Sequence, residues 1–211
     1  MKRYIPVLLL LLLPIISITA QGFKVKAQGP QVFNFEDKGG RNQVTFFSKT
    51  PLEDITGTAN AISGTITFDV SSFAKTLKGT LIVKVASMNS GIELRNTHMK
   101  SANWLDEKKY PEITLELKSV ESVNQIADNK LEFKVKGNFT LHGVTKEIIT
   151  SGEATYLDEN EQTRKRAAGD LLGVRASFKV KLSDFDIDNS VVGSKVSEVI
   201  EISVNIVGSN K

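Results

Sequence analysis

The chain has 211 residues and carries 27 Lys and Arg against 24 Asp and Glu, a formal net charge of +3, with two histidines. That length suits one domain, and no concentrated basic face marks a nucleic-acid partner, so none is expected. The absence of cysteine excludes disulfides, thiol nucleophiles, thiolate metal sites and a lipid-bearing N-terminal cysteine, and leaves the fold to its own core.

The chain opens on the basic Met1-Lys2-Arg3. An almost wholly apolar stretch follows from Ile5 to Ile16, with leucine at every position from Leu8 to Leu13, and Ser17-Ile18-Thr19-Ala20 ends it on a small residue. This order of regions is that of a secretory signal, and residues 1–20 are expected to be removed after Ala20. The stretch is short of the ~20 residues that span a bilayer, and Pro6 and Pro14 interrupt it. No stable membrane span is therefore expected after cleavage, and the mature protein is expected in the periplasm or outside the cell.

From about residue 31 the pattern has period two. Strands are expected at 31–37, 42–50, 62–70 and 79–88, where Ile66, Phe68 and Val70 share a face, as do Leu81, Val83 and Val85. Further along, Ile113, Leu115 and Leu117 alternate with charged or polar residues. So do Leu131, Phe133, Val135 and Phe139, then Val174 to Leu182, then Ile200 to Ile206. Such alternation buries one face and wets the other. Lys38-Gly39-Gly40, Lys78-Gly79, Asp128-Asn129 and His142-Gly143 read as turns.

Residues 93–109 break the pattern. They have few β-branched residues, and Asn96 or Thr97 is expected to cap a short helix at about 95–105, stopped by Tyr110-Pro111. Residues 157–171 are highly charged and read as a solvated hairpin tip, with Arg164, Lys165 and Arg166 as a lesser candidate for an anionic partner. The expected architecture is all-β: an extended eight-stranded antiparallel barrel with one short helix, forming a single domain from residue 28 to 211.

Three stretches resemble the YceI-like family of polyisoprenoid- or lipid-binding domains. They are Phe47 to Thr50 with Ile62 to Asp69; Leu94 to Ser101 with Trp104-Leu105-Asp106 and Lys109 to Thr114; and Gly137 to Lys146. Ser183 to Ile187 with Val192-Gly193 and Val196 looks like that family's last hairpin. The family often has Arg-Asp where this chain has Arg95-Asn96, and Phe-Gly where it has Phe185-Asp186. The resemblance implies a lipocalin-like barrel with an apolar tunnel, export, and a long-chain isoprenoid or fatty amphiphile as ligand.

Inward positions of such a barrel hold side chains or one slender ligand. Phe46, Phe68, Val83, Leu115, Phe133, Phe139, Phe178 and Ile202 are the candidate lining, with Met88, Met99 and Trp104 near the helix. Arg95 and His98 lie one helical turn apart and are candidates for a polar clamp on a head group; His142 reads as structural. No Gly-x-Ser-x-Gly elbow, His-Glu-x-x-His pair or phosphate loop occurs, so neither catalysis nor a metal or other cofactor is expected. The expected function is an exported carrier of an apolar amphiphile. The alternative is an interaction module with a filled barrel. A homodimer stays open.

Overall fold

A computed structural model describes residues 21–211; the expected signal lies outside the described residues. Ten strands form one antiparallel sheet: β1 (Pro30–Asn34), β2 (Gln43–Lys49), β3 (Asp54–Ala59), β4 (Ile62–Asp69), β5 (Lys78–Lys84), β6 (Glu112–Ala127), β7 (Lys130–Leu141), β8 (Val144–Leu157), β9 (Leu171–Lys181) and β10 (Val199–Ser209). The order β1-β4-β5-β6-β7-β8-β9-β10 closes on itself where Ser209 pairs with Asn34, giving the expected eight-stranded barrel. The β2–β3 hairpin takes the rest of the β10 edge, with Gln43 to Phe47 against Asn205 to Glu201. Closure and this hairpin leave little strand edge open to other chains. Among the described residues, three short α-helices interrupt the sheet: α1 (Phe73–Thr76), α2 (Glu93–Lys100) and α3 (Glu161–Arg164). No helix among the described residues is long and apolar enough to cross a membrane.

The interior has two unlike halves. One is filled. Phe33 stacks on Phe68 with ring centroids 5.6 Å apart and 14° between planes, Phe73 meets Phe68 edge-on at 5.1 Å, and Tyr156 meets Phe33 edge-on at 5.5 Å. The Tyr156 hydroxyl donates to the Asp170 carboxylate at 2.6 Å, and burial together with that carboxylate pushes the phenol well above its usual range. Residues 21–27, expected to lie outside the domain, belong to this half. The Phe23 ring is buried against Phe68, Phe73 and Tyr156, its amide donates to the Val70 carbonyl at 2.7 Å, and Gly22 packs so tightly on Val70 that no side chain fits. The other half gathers Phe139, Leu141, Val180, Leu182, Phe185 and Ile187 beneath α2.

The local differences from the sequence expectations have physical reasons. The helix begins at Glu93 and ends at Lys100, and Asn96 lies inside it. The Asn96 carboxamide oxygen accepts from the Ser90 amide at 2.7 Å and its nitrogen donates to Asn89 at 2.8 Å, so it braces the preceding loop instead of capping the helix. Lys78-Gly79 is no turn: it opens β5, and α1 makes the reversal before it. In the charged stretch, α3 is capped by Asn160. Each candidate cation there has a partner within the chain: Arg164 bonds Glu159 at 3.1 Å, Lys165 bonds Gln162 at 3.0 Å and Arg166 bonds Asp37 at 3.0 Å.

Candidate ligand-binding cavity

The half of the barrel under α2 encloses a cavity of about 520 Å³. That is within the range of ~300–1,000 Å³ typical of small-molecule sites. Its walls come from alternate residues of six strands: Phe46 on β2, Ile55 on β3, Ile113 on β6, Phe139 and Leu141 on β7, Val180 on β9, and Ile200 and Ile202 on β10. Period two aims these side chains inward because their neighbours, such as Lys179 and Glu201, take the wet face. The roof is α2 with its flanks, which bring Met88, Ile92, Leu94, Met99, Trp104 and Leu105. A second segment brings Leu182, Ile187, Val191 and Val196.

The polar groups on the lining are Ser48, Glu53, Arg95, His98 and Lys195, and all but Ser48 belong to the roof or the loop beside it. Ser48 is committed within the fold, since its hydroxyl accepts from the Ser197 amide at 2.8 Å. Arg95 pairs with Glu53 at 3.1 Å, joining α2 to the β2–β3 loop. The Lys100 ammonium donates to the Ala86 carbonyl at 2.6 Å, tying α2 to the segment before it, and the Asn189 side chain donates to the Asn103 carbonyl at 3.3 Å, tying the two roof segments together. Ile92 and Leu94, at the start of α2, are exposed while still lining the cavity. They mark its open side.

His142 is in the β7–β8 turn, outside the cavity. His142 and Gly143 have φ of 51° and 76°, the positive pair that a two-residue hairpin with matching twist requires. Gly143 is held to glycine twice over, because a side chain there would meet the Tyr110 ring. The imidazole Nδ1 donates to the Phe185 carbonyl at 3.1 Å and the ring packs edge-on against Tyr110. That bond anchors the turn formed by Leu182 to Phe185. Asp186 then takes φ of 55°, at the place where the family often has glycine.

Of the residues nominated from sequence, the cavity brings together Phe46, Met88, Arg95, His98, Met99, Trp104, Phe139 and Ile202. It does not reach the others. Phe68 belongs to the filled aromatic half, and Val83 packs against that half. Leu115, Phe133 and Phe178 face a separate void of about 50 Å³ deeper in the barrel. The sequence reading missed the contribution of residues 187–196 to the roof. Nothing in their local pattern separates an apolar roof from an ordinary loop. Among the described residues, no cluster of three His, Asp or Glu side chains could hold a metal ion.

A closed eight-stranded antiparallel barrel with one large apolar cavity under a short helix is the lipocalin-like class of architecture. Residues 37–208 match the model of the YceI-like domain, and the chain belongs to that family. It is 31% identical over 177 residues to the UPF0312 protein VPA0850 of Vibrio parahaemolyticus, covering 83% of this chain and 86% of that one. It is 28% identical over 152 residues to Protein YceI of Escherichia coli O157:H7, covering 72% of each. Among solved structures it shares its fold with BcnA of Burkholderia cenocepacia, at 18% identity and a TM-score of 0.63, covering 82% of this chain and 99% of that one. A polyisoprenoid binding domain from Saccharophagus degradans has the same fold, at 15% identity and a TM-score of 0.63, covering 86% and 99%.

Proposed function

We propose that this protein is an exported carrier that holds one long-chain apolar amphiphile, an isoprenoid or a fatty-acid-like lipid, in the half-open end of its barrel. The observation that carries the reading is the cavity of about 520 Å³ with largely apolar walls and its charged groups only toward its roof. An apolar chain would bury itself along Ile113, Phe139, Val180 and Ile202, and its head group would lie near Arg95, His98 and Lys195. Burial of each methylene contributes about 0.8 kcal/mol, so a dozen or so offset the cost of ordering and association. Such contacts have little directionality, which suits a carrier of a class of chains. The name of the Saccharophagus degradans neighbour, a polyisoprenoid binding domain, supports the ligand class. The signal-like residues 1–20 support export.

Trp104 is the sole tryptophan of the chain and lines the cavity. It is therefore a built-in reporter. Titration with a dibrominated eighteen-carbon fatty acid is expected to quench its emission saturably at one equivalent, and the unbrominated acid is expected to reverse the quenching. Emission that stays unchanged, or that falls without saturating, contradicts the reading.

A further inference from the structure

The two voids of the barrel share no lining residue. On four strands the inward residues divide between the two voids. On β6, Ile113 faces the large cavity and Leu115 the small void; on β9 the corresponding residues are Val180 and Phe178; on β10 they are Ile202 and Val204. On β7, Phe139 faces the large cavity and Val135 the small void. Gly137 stands between them, and the Leu115 side chain takes the space that a side chain on it would need. Across this boundary the Phe139 and Phe178 rings meet edge to face, with centroids 5.2 Å apart and 69° between planes. Phe139 is fixed from its other side by Phe185, edge-on at 5.6 Å. Beneath the small void of about 50 Å³ the aromatic half is filled, so no tunnel continues.

We infer that the Phe139–Phe178 ring pair is the floor of the binding cavity and sets the length of the chain it accepts. The inference rests on the carrier reading proposed above. At about 30 Å³ per centre, the share of one molecule in liquid water, the cavity takes roughly 17 non-hydrogen centres. That corresponds to a straight chain of about sixteen carbons or about three isoprene units. A much longer isoprenoid would leave part of its chain in water at the open side, because no apolar area is gained beyond the floor. Phe178 is the movable half of the floor: its ring borders the small void, and removing it merges that void with the cavity.

The test is the affinity of the mature protein for straight-chain fatty acids of eight to twenty-four carbons, each measured below its aggregation concentration. In the wild type, affinity is expected to rise about fourfold per added methylene and to level off near sixteen carbons. Phe178→Ala is expected to move that break several carbons longer, and Val180→Phe, which fills the cavity just above the floor, several carbons shorter. Circular dichroism and a cooperative melt establish that each variant is folded. Opposite shifts in the two variants support the floor. Affinity that keeps rising to twenty-four carbons in the wild type overturns it, as does a break that stays put in both folded variants. Binding without any length dependence overturns the floor alone, whereas no binding at any length overturns the carrier reading and the floor with it.

Discussion

Replacing Phe68 with alanine is expected to cost about 3–5 kcal/mol, the usual loss when a fully buried aromatic is truncated. Phe68 is 1% exposed and touches the rings of Phe23, Phe33 and Phe73 with centroids 5.1 to 5.6 Å apart. Each aromatic pair adds about 0.5–1.5 kcal/mol beyond its buried area, and the cavity left behind adds a further penalty because the barrel wall cannot collapse into it. Total stabilities are only about 5–15 kcal/mol, so this one ring is a large share. A guanidinium titration reads the effect as a lower midpoint at unchanged slope. Val32→Ala is the control: it lies on the outer face of the same sheet and is 53% exposed, so its effect should be small. A shift for Phe68→Ala as small as the control's would mean that the filled half does not hold the barrel together.

The second large effect is expected at Asp37, whose side chain is 8% exposed at the rim of the filled half. Its carboxylate accepts from the amides of Arg41 at 2.8 Å and Gly39 at 3.1 Å, and pairs with the guanidinium groups of Arg41 at 2.9 Å and Arg166 at 3.0 Å. The Arg41 guanidinium, ahead of the backbone amides and Arg166, holds this carboxyl well below the usual carboxylate range. The buried Asn42 completes the knot: its nitrogen donates to the Phe35 and Val207 carbonyls, and its oxygen accepts from the Val207 amide and Arg166. Asp37→Asn removes the charge and turns a donor toward donors, which is expected to cost about 2–3 kcal/mol at neutral pH.

The pH dependence follows from the sign of the shift. A carboxyl that is more acidic in the folded state stabilises fully above its unfolded value of about 3.9. That contribution is lost as pH falls through and below this value. Wild type and Asp37→Asn should therefore differ most near pH 7 and converge steadily as the pH drops from about 5 toward 2. Stability curves that run parallel across that range would contradict the assignment of the shift to Asp37.

The strands that build the cavity were legible wherever alternation was strict, as in β7, β9 and β10, because one buried face imposes period two on the sequence. Three strands were harder, for different reasons. β8 was not read, because its buried residues include Thr150 and Ala154 while Ile149 on it is exposed. β3 was not read at all. Its inward residues are Ile55, Gly57 and Ala59, and Gly57 must stay bare because the Phe46 ring lies on it; small residues chosen for close approach carry little hydrophobic signal. β6 was read only in its first part. Its ladder with β7 shifts register after Leu117 and again after Val120, so the next inward residues fall at Val120 and Val123, a spacing of three that hides the period.

The candidate site was legible in its walls and only in part in its limits. Phe46, Phe139 and Ile202 were found by alternation, and Arg95, His98, Met99 and Trp104 by the break in alternation at α2. Alternation says that a residue points inward but not at which depth along the barrel. Leu115 and Phe178 carry the same pattern as Ile113 and Val180, yet they line the small void and not the cavity. The depth of each position depends on strand stagger and closure, which are long-range properties. The roof from residue 187 to 196 depends likewise on where the last loop folds back.

Native mass spectrometry of the protein made with residues 1–20 in place, exported into a bacterial periplasm and purified without detergent, tests the carrier claim most directly. The account predicts a chain beginning at Gln21 that carries a discrete added mass in a one-to-one ratio, lost on organic extraction, with fragments typical of an isoprenoid or a fatty chain. A clean apo mass that does not shift after incubation with fatty acids or short isoprenoids would contradict it, and would turn attention to the barrel as an interaction module.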